Sequence, residues 1–317
     1  MPTIGDVRAA AERIAPYATR TPVLTCAAVD ERAGCRVLMK CENMQKVGAF
    51  KFRGACNAVM ALTEAEARRG VVCHSSGNHA QALALAARLR GIPAYVVMPS
   101  NAPAVKRAAV AGYGGRITYC EPTLAAREEA QARVIAETGA VEVHPYNNPR
   151  IIAGQGTATL ELMEDHPGLD AVVAPVGGGG LLSGTATAAK GLNPLVRVLA
   201  AEPAGADDAA RSVALGRIVP SESPRTVADG LLTSLCDLTF AVIRDKVERV
   251  VTVEEGEIVE AMRFVWERAK IVIEPSAAVG FAALFGRRAG LEGLRVGVIV
   301  CGGNVDLDKL PWMPVRA

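Results

Sequence analysis

The stretch GVVCHSSGNHAQALALAARLRGIPAYVVMP, residues 70–99, decides the fold. Val71, Val72 and Cys73 form an unbroken apolar run, which predicts a strand buried on both faces. Ser75, Ser76 and Gly77 supply a turn, and Asn78 opens an alanine- and leucine-rich helix that Gly91 closes. PAYVVMP (93–99) is the next strand. Strand, helix and strand at this spacing make a parallel crossover. The alternation continues on both sides. APAVKRAAVAGYG (102–114) reads as a helix, RITYCEP (116–122) as a strand, and a further helix runs to about residue 138. Upstream, CRVLMKCE (35–42) is a strand and FKFRGACNAVMAL (50–62) a helix. Downstream come DAVVAPV (170–176), a glycine loop, a helix from about 181, VRVLAAEP (196–203) and RVGVIVCGGN (295–304). The fold class is therefore α/β, with open, mostly parallel sheets covered by helices.

The succession at 71–144 reads as a small domain inserted in a large one made of 1–70 and 145–317. PYNNPRIIAGQG (145–156), rich in Pro, Asn and Gly, reads as the return crossing.

Bulk properties narrow the functional classes. The 317 residues are 50% hydrophobic and 21% charged, enough for a sizeable core. A formal charge of +2 gives no reason to expect nucleic acid. No run of eighteen apolar residues occurs, so no membrane span is expected, and the N-terminus lacks the apolar centre of a secretory signal. Cysteines 26, 35, 41, 56, 73, 120, 236 and 301 are scattered without a CxxC pair, which fits reduced thiols in the cytoplasm.

Ligands of open α/β sheets bind where strands end and helices begin. Three such junctions carry unusual residues. HSSGNHAQ (74–81) offers small hydroxyls and backbone N–H groups at a helix N-terminus, suited to a carboxylate. A single serine there would be an ordinary cap, but five such residues together favour a ligand. PVGGGGLLSG (175–184) sets four glycines before a helix, a phosphate cradle. It is no P-loop, since no Gly-Lys-Ser/Thr follows. It nearly fits GxGxxG, with Ser183 in the third position and Glu202 near where a ribose-binding acid falls, so this loop alone leaves a nicotinamide dehydrogenase open. VIVCGGNVD (298–306) ends a strand in Cys301 and two glycines, which alone reads as a tight turn. The fourth element is GAFKFRGACNAV (48–59). Lys51 lies between Phe50 and Phe52 at a helix start, where the dipole and the aromatic surroundings both disfavour an ammonium. A neutral amine, a phosphate cradle and a carboxylate loop together suit a Schiff base between pyridoxal phosphate (PLP) and an amino acid.

These motifs resemble the fold-type II PLP enzymes, in the branch of serine racemase and the serine/threonine dehydratases, including 3-hydroxyaspartate dehydratases. GAFKFRGA, HSSGNHAQALA, GIPAYVVMP, HPYNNPRIIAGQGT, PVGGGGLLSG, AAEPAGADDA, TVADGL, VWER, IEPSAAVG and GGNVDLDKL occur in family order, nearly end to end. The resemblance implies that Lys51 carries the cofactor and then acts as base at Cα, that Gly177, Gly178, Gly179 and Gly180 hold the phosphate, and that Asn78 bonds the 3-hydroxyl. Phe50 and Glu274 would lie near the ring, and Cys301 would face the pyridine nitrogen, where many relatives have Ser or Thr. Ser75, Ser76 and His79 would grip the substrate carboxylate, with Ser76 also the acid/base of the opposite face in racemases. Asp229, Tyr146 and Asn147 are further pocket candidates. Arg133 is a candidate for a second substrate carboxylate, against the plain alternative of an exposed helix arginine. EPAGADD resembles the family's divalent-cation site, with Glu202, the Ala206 carbonyl and Asp208 as ligands for Mg²⁺, Mn²⁺ or Ca²⁺. The implied activity is dehydration of L-threonine, L-serine or 3-hydroxyaspartate to a 2-oxo acid and ammonia through an aminoacrylate, with an amino acid racemase as the alternative. The resemblance also implies a homodimer, and with only a short stretch after GGNVD the C-terminal regulatory domain of the biosynthetic threonine dehydratases is not expected.

Overall fold

The structure is a computed structural model that describes residues 1–102 and 104–313. In chain order its strands are β1 (Val23–Leu24), β2 (Arg36–Lys40), β3 (Val71–His74), β4 (Ala94–Pro99), β5 (Arg116–Cys120), β6 (Val141–Glu142), β7 (Ala171–Pro175), β8 (Arg197–Pro203), β9 (Arg249–Val253) and β10 (Arg295–Ile299). One sheet has the order β1-β2-β10-β7-β8-β9 and the other β5-β4-β3-β6. Every pairing is parallel except β1 with β2. The central strand β7, AVVAP, is buried at all five positions, as a strand covered on both faces must be. No helix among the described residues is long and apolar enough to cross a membrane.

The segment 145–156 corrects the sequence reading. Only its first residues form a crossing. The Asn148 side chain accepts from the Arg150 and Ile151 N–H groups, Pro149 takes the first turn, and a buried helix runs from Pro149 to Asp165. Gly154 and Gly156 cost this helix about 1 kcal/mol each relative to alanine, and close packing offsets the cost. A Cβ on Gly154 would lie 2.6 Å from the Cα of Gly54, and one on Gly184 2.5 Å from the nitrogen of Gly156. The Pro149–Asp165 helix thus lies main chain against main chain between the Lys51–Met60 helix and the Gly180–Leu192 helix.

Beneath the Lys51–Met60 helix is a buried ionic cluster. Arg53 donates Nε to Glu42 Oε2 (2.7 Å) and Nη1 to Glu161 Oε1 (2.7 Å), and Lys40 Nζ donates to Glu161 Oε2 (2.6 Å). The Arg53, Glu42 and Lys40 side chains have no solvent exposure. Two cations meet two anions, so the charges balance.

Candidate active site

Lys51 begins its helix at the carboxyl end of β10. Phe50 N–H donates to the Cys301 carbonyl (2.9 Å), and Ala49 bridges Gly302. The turn before it is strained: Val47 has φ 58°, a left-handed conformation costly for a β-branched residue, and Gly48 follows at φ 68°. Lys51 Nζ donates to the Pro145 carbonyl (3.0 Å) and lies 5.1 Å from the Phe50 ring centroid. Burial of the amine pulls its pKa down to about 8, with Cys301 and Glu274 working the other way. The residue keeps some solvent contact, while protein surrounds the amine.

After β7 the four glycines are buried, and neighbours exclude side chains at all of them. A Cβ on Gly177 would lie 2.9 Å from Leu231 Cα, on Gly178 2.4 Å from the Tyr146 ring, and on Gly180 2.8 Å from Tyr146 Cβ. Gly179 has φ 85°. No side chain caps the Gly180–Leu192 helix, so its first N–H groups are left for a ligand. The same holds for the Asn78–Arg90 helix after Ser75, Ser76 and Gly77. A phosphate and a carboxylate fit these two ends, and a low-pKa lysine fits an aldehyde; the residues present suit PLP.

At the ring-nitrogen end predicted for the site, Cys301 is buried, and burial pushes its thiol well above the ordinary range, so it is neutral. Its Sγ lies 3.9 Å from Glu274 Oε1. Burial raises Glu274 to about 7, opposed by the hydrogen bond from Asn78. Asn78 Nδ2 donates to both Glu274 oxygens (3.2 and 3.1 Å).

Other predicted residues fall differently. The His79 ring is buried; its Nε2 meets the Val143 carbonyl at 2.8 Å and so carries the proton. Burial lowers its pKa to about 3. Only its main chain is left for a carboxylate. Tyr146 packs on the glycine loop, whereas Asn147 is exposed and donates its N–H to His144 Nδ1 (2.8 Å). Asp229 pairs with Lys106 (2.8 Å) on the Ala104–Gly112 helix, and two residues on Leu231 backs Gly177. Arg133 is not brought to the site: its side chain is 59% exposed and pairs with Glu129 one turn away. An arginine in the third turn of the Leu124–Thr138 helix has left the strand ends behind. Arg127, in the first turn, has not. Its Nε is buried without a partner, and its charge helps lower the pKa of His74, the last residue of β3. First-turn position was the signal that would have singled it out.

Among the described residues no three His, Cys, Asp or Glu side chains gather as a metal cluster. Asp207 turns out to Arg211 (2.7 Å). Glu202 and Asp208 are fully buried. Glu202 accepts from the Ala209 and Ala210 N–H groups (2.9 and 2.8 Å), yet burial raises it to about 8, with Asp208 and Asp207 adding to the rise. Burial raises Asp208 to about 6; Ser221 and Leu235 donors lie toward it, but neither carboxylate oxygen makes a well-formed hydrogen bond.

Comparison with known proteins agrees with this geometry. The chain is 54% identical over 98% of its length to a β-hydroxyaspartate dehydratase of Paracoccus denitrificans, covering 99% of that protein. It is 46% identical over 98% of its length to an L-threo-3-hydroxyaspartate ammonia-lyase of Saccharomyces cerevisiae, covering 95% of it. The structure of maize serine racemase superposes with a TM-score of 0.95 at 49% identity, over 97% of this chain and 95% of that one. Residues 14–302 match the family described as pyridoxal-phosphate dependent enzyme, and the chain belongs to that family.

Proposed function

We propose that this enzyme is an ammonia-lyase that dehydrates a β-hydroxy amino acid, foremost 3-hydroxyaspartate, to a 2-oxo acid and ammonia, with L-threonine and L-serine as poorer substrates. The observation that carries the reading is Lys51, an amine held near pKa 8 beside the uncapped helix ends. Bound PLP withdraws electrons from Cα of the amino acid condensed with it and so acidifies the Cα–H. Lys51, neutral once released, takes that proton. Ser75, Ser76 and the helix N–H groups at Asn78 orient the α-carboxylate. Cys301 stays a neutral thiol. Residues 71–144 act as a small domain closing on the remainder, and the enzyme works as a cytoplasmic homodimer.

The test is a substrate panel: serine, threonine and both hydroxyaspartate diastereomers, followed for oxo acid, ammonia and chirality. Oxo acid formed faster than inversion supports a lyase. Inversion outpacing oxo acid makes the enzyme a racemase that uses Lys51 and Ser76 on opposite faces, the reading favoured by the superposition on maize serine racemase.

Arg127 replaces Arg133 as the reader of the second carboxylate. Arg127→Ala is expected to lower kcat/KM for 3-hydroxyaspartate by about 10–100-fold relative to serine, the loss of one charge-assisted bond. Arg133→Ala is expected to change neither. Equal losses on both substrates in the Arg127 variant would remove the assignment.

Glu202, Asp208 and the Ala206 carbonyl are proposed to hold Mg²⁺, Mn²⁺ or Ca²⁺, which suits the buried Asp208 oxygens that lack donors. Between pH 4.5 and about 8 the folded, metal-free protein binds more protons at Glu202 than the unfolded chain, so the contribution of Glu202 to stability falls as pH rises. Mg²⁺ should reverse that trend and raise Tm, and Asp208→Asn should abolish the Mg²⁺ response. An identical Mg²⁺ shift in wild type and variant would sink the site.

A further inference from the structure

Asn304 lies outside every role given so far, yet it touches three parts of the site. Its Nδ2 donates to the Val47 carbonyl (2.7 Å) and to Asn78 Oδ1 (2.9 Å), and its backbone N–H donates to Glu274 Oε2 (3.2 Å). Its Oδ1 presses on Gly48, where a Cβ would stand 2.6 Å away. Gly303 N–H donates to the Gly48 carbonyl (2.9 Å), tying the two turns together.

Donor and acceptor chemistry fixes the direction of this chain. A backbone carbonyl can only accept, so Val47 requires the NH₂ of Asn304, not its oxygen. The second hydrogen of that NH₂ then requires the oxygen of Asn78. Asn78 is left with its own NH₂ toward Glu274, whose two carboxylate oxygens can share one N–H and leave the second for the cofactor. Glu274 alone would not set the flip. Burial raises its pKa to about 7, and a protonated Glu274 could equally donate to an Asn78 oxygen. Asn304 excludes that second arrangement because its NH₂ would then face another NH₂.

We infer that Asn304 is a positioning residue: it orients Asn78 to donate, and only donate, to the cofactor's 3-hydroxyl oxygen, and it pins the strained Val47–Gly48 turn that aims Lys51. This rests on the PLP reading of the site. A donor facing that oxygen favours its ionised form. A left-handed valine is kept only where its surroundings over-determine it, and the bond to its carbonyl is such a constraint.

The test uses the full chain reconstituted with PLP. Asn304→Asp keeps the size but can donate neither to Val47 nor to Asn78, and a carboxylate would turn the Asn78 NH₂ toward itself. The expected result is a PLP dissociation constant raised about tenfold or more, a charge-assisted bond's worth, with the absorption band of bound PLP displaced from wild type. Asn78→Asp should displace the band likewise, and the double variant should go little further than either single one, since the two residues act in series. Should Asn304→Asp fold poorly, Asn304→Ser, which can reach only one of the two acceptors, is expected to show the same band shift at smaller size. Wild-type affinity and band in the Asn304 variants, even with a lowered Tm, would reduce Asn304 to loop packing and overturn the inference. Strictly additive effects in the double variant would do the same. Failure of the wild type to take up PLP would instead break the cofactor reading, so the two failures are separable.

Discussion

Lys51→Ala is expected to lower kcat/KM by about 10³-fold or more, since general base catalysis alone contributes roughly 10²–10⁴ and covalent attachment of the cofactor is lost with it. PLP should then dialyse away, and borohydride should fix none to the protein. Turnover within tenfold of wild type would remove the basis of the proposed chemistry. The same amine predicts a stability signature in the protein without cofactor. Burial holds its pKa at about 8 against 10.5 in the unfolded chain. Between those values the unfolded state binds more protons at this residue, so its contribution to stability rises with pH from about 8 to 10.5, while the buried thiols of Cys35, Cys41, Cys56 and Cys73, raised by burial, pull the other way. The stability difference between wild type and Lys51→Met, from denaturant midpoints measured across this range, should show that rise, since the thiol contributions cancel in it.

Arg53→Met is the second large expected effect, and it acts on stability. Glu42 has Arg53 as its cationic partner, through Nε at 2.7 Å and Nη2 at 2.9 Å. Glu42 is fully buried, and its other contact is the Thr21 hydroxyl. Removing one member of such a pair leaves an uncompensated charge and costs about 3–5 kcal/mol. Equilibrium denaturation should show that loss, and Glu42→Gln added to Arg53→Met should recover part of it. A variant as stable as wild type would mean the cluster contributes nothing. Recovery is the informative arm, since it separates a stranded charge from a lost shape.

Much of this molecule can be read from its chain, and the exceptions have physical causes. β3, β4 and β7 show as unbroken apolar runs because both faces are covered. β9, RVVTV, escaped notice: it is an edge strand with buried and partly exposed positions interleaved, and no glycine turn announces it. Gly154 and Gly156 read as loop residues because a one-dimensional pattern cannot distinguish a glycine that bends the chain from one that lets another chain come close. The glycine loop and Lys51 were legible because their chemistry is local, carried by residues adjacent in sequence. Arg127 and Asn304 were not. Arg127 lies six residues before Arg133 on the same helix, about 1.7 turns, so the two differ in both direction and depth. Asn304 gains its meaning from Val47 and Asn78, 257 and 226 residues away.

The glycine-lined crossing of the Pro149–Asp165 helix has a consequence for how such an enzyme can change. Main chains in contact at Gly54, Gly154, Gly156 and Gly184 set the span from the amine to the glycine loop, with the Gln155 side chain hydrogen-bonded to Gly54 N–H. On the proposed assignment of Arg127, substitutions there would retune which amino acid is admitted without moving the reacting parts. A methyl group at 154, 156 or 184 would wedge those parts asunder whatever the substrate. Selectivity is free to drift while reactivity stays fixed, because the two are written on different residues.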